Sequence, residues 1–391
     1  MTRDPSHPPD TASKMVVPFG QPHFGDEEIE AVTAVLRSGW VGMGPQTLQF
    51  ETELEAWLDV PRVVTVSSCT GALFLALLSH GIGPGDEVIC PSLTWCSTAN
   101  AALYLGATPV FCDVDRASFC VTPETILARV THRTKAVIVV HYGGLAVDVA
   151  TLRRALPPHI VLIEDAAHAL GARTPDGARV GASGNLVCFS FYANKNISTG
   201  EGGAIALADP DAANHLASLR QHALTTNAWR RYSHPESSVG QMKLHELGFK
   251  LNYTDLQAAI GRVQLRRQAE FAAHRLAIAR FYLDELAKKG GFKCQTGLGG
   301  LDHAHHLFVT VLPDSALRRK SRDDIMRRVR NRGIGLSVHY VPLHRMPLYH
   351  TGVCLPVTEE LADRIVTLPI GAAMTMDDAR QSLDALFDEI A

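Results

Sequence analysis

The sequence predicts an α/β protein whose large domain is built on a mostly parallel sheet between helices and is followed by a smaller C-terminal α/β domain. Two observations carry this. Short apolar runs alternate with helical patterns from about Val63 to Ala206, and a long helical stretch after Asp255 leads into a remainder that mixes strands such as HHLFVTVL with amphipathic helices. The length of 391 residues exceeds what one hydrophobic core usually organises, which favours two domains over one.

Taken in chain order, residues Met1 to Lys14 (MTRDPSHPPDTASK) are polar and Pro-rich, and are expected to form a disordered tail over 1–14. They lack the apolar core of a signal peptide or membrane anchor. The runs RVVTV, DEVICP, ATPVFCDVD, KAVIVVHY, HIVLIEDAA, NLVCFSF and GAIALA then read as strands. Helices follow the first two, from Thr70 and near Thr98. In sheets of this kind ligands collect beyond the carboxyl ends of the strands. The stretch TDLQAAIGRVQLRRQAEFAAHRLAIARFYLDELAKKG reads as one long helix bridging the domains, and the expected boundaries are 15–262 and 263–391.

Hydrophobic residues make up 46% and charged residues 20%, ordinary globular usage that argues against extensive disorder. A net charge of −3 with scattered basic residues provides no general field for nucleic acid. No apolar run reaches transmembrane length, no internal repeat is visible, and the expected location is the cytoplasm, with no membrane partner. The eight cysteines form no C-x-x-C pair and mostly lie in apolar runs, as reduced, buried small hydrophobes do.

Four places could carry chemistry. Lys195 in SFYANKNISTGEGGAI follows a strand and precedes a Gly-rich turn, although a lysine alone is usually a surface residue. Asp165 ends the apolar strand HIVLIE at the same sheet edge, where it is either a helix N-cap for AAHAL or an anion opposite a protonated pyridine nitrogen. Ser67, Ser68, Cys69, Thr70 and Gly71 lie between a strand and a helix start, a place for ordinary capping or for phosphate. Ser190 adds a hydroxyl, and Trp95 in PSLTWCSTANA is either core or a face to lie against a heteroaromatic ring.

These motifs occur in the order used by the DegT/StrS-type sugar aminotransferases, pyridoxal phosphate (PLP) enzymes of the aspartate-aminotransferase-like fold. The chain resembles that family from Val17 through IEDAAHALGA, FSFYANKNISTGEGGAI and GFKLNYTDLQAAIGRVQL to GIGLSVHYVPLH and LPI. The resemblance implies that Lys195 forms the Schiff base with PLP and that Asp165 faces the pyridine nitrogen. It implies that Trp95 stacks on the ring, that Thr70, Gly71 and Ser190 contact the phosphate, and that His168 lies near the ring hydroxyl. Asn252 in KLNYTD matches an asparagine that reaches the phosphate of the neighbouring subunit's cofactor, which implies a homodimer with shared sites.

The implied reaction passes an amino group from glutamate to a keto sugar, with the released Lys195 amine moving the proton between substrate and cofactor carbons. The wording SFYANKN with HALTTNAWRRYS resembles enzymes that aminate C4 of a nucleotide-linked 4-keto sugar. Amination at C3 and cyclitol amination use nearly the same motifs. Arg220, His222, Arg230, Arg231, Lys243 and Lys250 are either cations for the nucleotide diphosphate or a solvated basic loop.

Other readings fare worse. The family branch that dehydrates sugars carries histidine where Lys195 stands. A non-catalytic PLP-fold regulator would not need Lys195, Asp165 and Ser190 intact. A nicotinamide dehydrogenase would want G-x-G-x-x-G where SSCTGAL stands. The histidines at 303, 305, 306, 339 and 344 are expected to be packing or substrate groups, with no metal.

Overall fold

The computed structural model describes residues 15–224, 228–233, 243–349 and 351–391. The expected N-terminal tail therefore lies outside the described residues. Seven strands form the main sheet: β1 (Arg62–Val66), β2 (Glu87–Pro91), β3 (Thr108–Cys112), β4 (Thr134–Val140), β5 (Val161–Asp165), β6 (Leu186–Ser190) and β7 (Gly203–Leu207). Their spatial order is β1-β7-β6-β5-β4-β2-β3. All neighbouring pairs are parallel except the two made by β7, which runs against both β6 and β1.

The strands read as continuous apolar runs because helices cover both faces of such a sheet. Ala136, Val137, Ile138 and Val139 of β4 are fully buried, and so are Val187 and Cys188 of β6. Each such Val or Ile contributes roughly 1.5–3 kcal/mol. Since β1, β2, β4, β5 and β6 run in one direction, their carboxyl ends open on one edge. The β6–β7 pair is a hairpin whose connecting segment, residues 191–202, lies at that edge and carries Lys195.

Gly203 holds the start of β7 against the start of the helix Cys69–Ser79. A Cβ there would meet the Cys69 nitrogen and the Ser68 carbonyl carbon at 2.6 Å, so only glycine allows this approach. The helix is capped by Ser68, whose Oγ accepts from the Gly71 N–H at 3.1 Å.

The long helix Asp255–Lys289 runs for 35 residues, roughly 50 Å at 1.5 Å per residue. Thr254 and Gln257 cap its start reciprocally, and Gly290 ends it at φ 77°. It passes without a break through the expected boundary at 262. Its first half packs against the helices Asp26–Ser38 and Pro45–Leu58, and its second half against the helix Met376–Ile390. Gly261 permits the close crossing, since a Cβ would lie 2.7 Å from Phe50.

A second sheet, in the order β10 (Ile365–Leu368), β9 (Phe308–Val311) and β8 (Lys293–Cys294), is antiparallel. Phe308, Val366 and Leu368 pack there with Ile278, Tyr282 and Leu383, and Val17 joins the same core through a bridge to Ile334. The sheet also closes on the main one, because Leu307, Val309 and Val311 share a core with Val137 and Val139.

The eight cysteines are free. Cys354 is exposed and Cys96 and Cys294 are partly covered, while the other five are buried. Among the described residues no helix is long and apolar enough to cross a membrane.

Asp255 joins the N-terminal helices to the long helix. Only 2% exposed, it accepts from the N–H groups of Gly44 (2.7 Å), Gln46 (3.2 Å) and Thr47 (3.0 Å) and from the Thr47 hydroxyl (2.7 Å). Asp255→Ala is expected to destabilise the fold by about 2–4 kcal/mol, because buried donors lose a charged acceptor. Denaturant unfolding of the variant beside wild type checks this, and an unchanged midpoint would show that water replaces the carboxylate.

Candidate active site

A cavity of about 450 Å³ opens at the carboxyl edge of the main sheet. Among the residues singled out from the sequence, Ser68, Cys69, Thr70, Trp95, Asp165, His168, Ser190 and Lys195 line it. They come from separate stretches that the parallel strands deliver to one edge: β1 with its capped helix, β2, β5, and the β6–β7 hairpin.

Asp165 is 6% exposed. Its Oδ2 accepts from the Thr98 hydroxyl at 2.8 Å and its Oδ1 from the Ala167 N–H at 3.1 Å. The stretch AAHAL forms turns and no helix, so the second bond is a local turn contact and not the helix N-cap weighed from the sequence. Burial pushes its carboxyl above the usual range, against those two bonds and the positive charge of Lys195. A buried carboxylate carries a penalty of several kcal/mol, and hydrogen bonds to a charged group return about 1.5–3 kcal/mol each. These two bonds, with a long contact from the Cys69 thiol at 4.0 Å, therefore leave the anion receptive to a further cation at its open face.

Lys195 is half-buried in the hairpin, its N–H donating to the Tyr192 carbonyl at 2.9 Å. Burial brings its amine down from the ordinary lysine range to about 8, with Asp165 and Cys69 opposing the shift. A lysine that loses its proton near neutrality is a nucleophile and a proton carrier.

His168 is held neutral, chiefly by burial and then by the charge of Lys195. The Gly143 N–H donates to its Nδ1 at 3.3 Å, so the ring proton sits on Nε2, which faces the Tyr340 hydroxyl at 2.9 Å. Tyr340 then accepts from the histidine and keeps its own O–H to donate. Trp95 presents an indole that is 60% exposed, centred 6.0 Å from the Tyr340 ring. Thr70 Oγ1 pairs with Ser97 Oγ at 2.7 Å, setting two hydroxyls side by side at the start of the capped helix.

Two of the residues singled out stand apart. Gly71 does not line the cavity, and its N–H is taken by the Ser68 cap. Asn252 also lies off the lining, with its amide donating to the Tyr253 carbonyl at 3.2 Å. Its neighbour Leu251 accepts from the Ser67 N–H at 2.8 Å, which lays this segment beside the turn 67–71.

Arg220 is corrected as a cation for a diphosphate. It is 3% exposed, with its guanidinium donating to Glu51 and to Thr65, so it ties the core together. His222, Lys243 and Lys250 are exposed, and the side chains of Arg230 and Arg231 lie outside the described residues.

The site also draws on residues whose place in it the motifs did not mark. Thr98, fully buried at the start of the helix Cys96–Leu103, stands behind the lining and reaches the cavity through Asp165. Tyr340 and His339 line the cavity from the C-terminal part of the chain. Local sequence held no signal that they return to Lys195.

Of the other histidines, His305 Nε2 meets the Leu298 carbonyl at 2.9 Å and His303 Nε2 meets Gln295 Oε1 at 3.3 Å. His344 Nδ1 lies 2.7 Å from Ser92 Oγ. His306 instead contacts Lys195.

The ammonium of Lys195 is the form that burial disfavours, so the reactive free amine accumulates as pH rises through about 8. In the cofactor-free protein, modification of Lys195 by an amine-directed reagent is expected to be half-maximal near that pH. In Asp165→Asn, where the opposing carboxylate is gone, the midpoint moves lower. Peptide mapping over a pH series reads both, and a midpoint in the ordinary lysine range would contradict them.

Similarity to known proteins agrees with this geometry. The profile of the DegT/DnrJ/EryC1/StrS aminotransferase family matches residues 22–387. The spore coat polysaccharide biosynthesis protein SpsC of Bacillus subtilis (strain 168) is 37% identical over 379 residues, 95% of this chain and 96% of that protein. The aminotransferase TlmJ from Streptoalloteichus hindustanus superposes with a TM-score of 0.87 at 33% identity, over 96% of this chain and 98% of its own. The putative sugar aminotransferase Spr1654 from Streptococcus pneumoniae, in its PMP form, gives a TM-score of 0.88 at 26% identity, over 96% and 99%. The chain belongs to the DegT/DnrJ/EryC1/StrS aminotransferase family and is one of its PLP-dependent sugar aminotransferases.

Proposed function

We propose that the protein transfers an amino group from glutamate to a keto sugar, at C4 of a nucleotide-linked 4-keto sugar, as a cytoplasmic homodimer with shared sites. The observation that carries this is the meeting, in one cavity, of an amine brought down to about 8 and a buried carboxylate with an open face. The similarity to a polysaccharide-biosynthesis protein supports a sugar as acceptor.

The residues fit PLP. Lys195 would hold it covalently, Asp165 would face its pyridine nitrogen, and Trp95 would cover the ring. Thr70 and Ser190, at the helix start and the β6 end, suit the phosphate together with the backbone about Gly71. His168 would stand near the ring hydroxyl, its Nε2 proton shared with Tyr340. When bound, PLP supplies an aldehyde that links to amines and a ring that accepts electrons from the bond being broken.

The protein's own part is to hold groups and move one proton. Asp165 keeps a positive charge at the pyridine nitrogen, which its buried position makes energetically valuable. Lys195, once free, takes a proton from the substrate carbon and returns it on the cofactor side, a task for an amine that titrates near working pH. The neutral His168 orients without adding charge. The exposed Lys243 and Lys250 remain as candidate cations for the nucleotide diphosphate.

The purified protein is expected to be yellow with PLP and to be bleached by glutamate, whereas Lys195→Ala should stay folded, show no bleaching and lose turnover. A panel of nucleotide-linked keto sugars, with the new amine located by NMR, reads the carbon position. A colourless wild type that cannot take up PLP would refute this assignment.

Asn252 tests the shared site. The likeness of KLNYTD to the family segment that carries this asparagine supports a reach into the neighbouring subunit. Lys195→Ala and Asn252→Ala are each expected to be impaired, with Asn252→Ala losing about ten- to a hundredfold in cofactor affinity. Mixing them at limiting PLP, with subunit exchange verified, should restore activity, because one heterodimer site then carries neither lesion. No recovery would place Asn252 on its own subunit's cofactor.

A further inference from the structure

Lys195 has a polar neighbour that does not line the cavity. His306, at the entry to β9, places its Nε2 3.3 Å from Lys195 Nζ. The ring is 4% exposed and packs against the His168 ring, with centroids 4.5 Å apart. Its other nitrogen, Nδ1, is buried without a hydrogen-bond partner among the described residues. A buried polar atom left without a partner is uncommon in folded proteins and calls for a reason.

We propose that His306 is a positioning residue for Lys195, whose Nε2 takes one N–H of the uncommitted amine and holds it at the cavity wall, ready to capture an aldehyde. This rests on the assignment of Lys195 as the cofactor lysine.

Three features argue for it. The four-carbon stem of lysine is flexible, and an amine released during each half-reaction would otherwise sample many rotamers. Second, only an uncharged ring can accept from the amine, and everything around His306 keeps it so. Burial acts first, then the charge of Lys195, with His168, Arg275 and His339 adding to it.

Third, Arg275 is itself 3% exposed and has no carboxylate partner among the described residues. It reaches only the carbonyls of Lys195 at 3.5 Å and Ile370 at 3.4 Å. An unneutralised guanidinium close by makes a second positive charge on His306 costly.

With Nε2 accepting, the ring proton lies on Nδ1, so the atom left without a partner is an unpaired N–H. The amine then keeps its lone pair for bond formation. In capture, that pair forms the bond to the aldehyde carbon. The carbonyl oxygen leaves as water, with both of its hydrogens taken from the amine.

The test compares His306→Leu, which removes the acceptor, with His306→Gln, whose amide reaches the place of Nε2. Cofactor-free protein is mixed with PLP and the appearance of the yellow band is followed by stopped flow. In parallel, binding of pyridoxamine phosphate, which cannot condense with lysine, is measured by titration. The Leu variant is expected to capture PLP about tenfold more slowly, the worth of one such hydrogen bond, and Gln to restore most of the rate. Pyridoxamine phosphate should bind all three proteins alike.

Capture by the Leu variant at the wild-type rate overturns the proposal. So does slow capture in both variants accompanied by weakened pyridoxamine phosphate binding, which marks a packing role. If the Leu variant fails to fold, His306→Asn takes its place, since its shorter amide stops short of Nζ. Slow capture by Asn then supports the proposal, and capture equal to that of Gln overturns it. Failure of the wild type itself to turn yellow would instead defeat the assignment of Lys195.

Discussion

A buried carboxylate at the end of a buried strand is the interaction on which this site depends. Asp165 leaves β5 with its backbone in the parallel ladder and its side chain on the cavity. The chain offers it a hydroxyl from Thr98, an amide from Ala167 and a long thiol contact from Cys69, but no arginine. The electrostatic imbalance is local and directional, and the cavity is the direction left open. Lys195, across that cavity, supplies the compensating charge only in part, because the same enclosure that isolates Asp165 also disfavours the ammonium.

The surrounding groups keep that balance simple. His168, His306 and His339 are all held below the ordinary histidine range, first by burial and then by the lysine they surround. Cys69, beside Asp165, stays a thiol through burial and then the neighbouring carboxylate, against the charge of Lys195. The site thus concentrates its titratable behaviour in one anion and one amine, while the imidazoles act through hydrogen bonds, whose direction at His168 is set by the Gly143 N–H. Glu164, next to Asp165 but on the opposite face of β5, is satisfied separately by His141 at 2.9 Å and Asn185 at 2.7 Å, so it does not compete for the same cation.

The C-terminal part of the chain completes the site as well as flanking it. Leu307 and Val309 pack on the main sheet, and the segments around them bring His306, His339 and Tyr340 to the neighbourhood of Lys195. The rigid bridge is the long helix, whose Arg275 reaches the Lys195 carbonyl from midway along its length. Any motion of the second sheet relative to the first would therefore be felt at the lysine.

The sequence by itself determined the strands, the sheet edge and the family. Apolar runs bounded by turn residues mark β1 to β7 because a doubly covered sheet demands them, and the turn 67–71, Trp95, Asp165, Ser190 and Lys195 each stand at the end of such a run or within a few residues of it. Ser68 to Thr70, Trp95, Asp165, Ser190 and Lys195 meet in one cavity because the parallel strands and the antiparallel β7 bring these run ends to one sheet edge. What only the tertiary structure decided is where contacts cross long separations. Examples are Thr98 on Asp165, Tyr340 on His168, His306 on Lys195, and the withdrawal of Arg220 into the core against Glu51. Local pattern reports burial and periodicity, which are properties of neighbouring residues. The partner of a histidine or an arginine is set by how two distant elements pack, and nothing within a few residues of His306 or Arg220 encodes that.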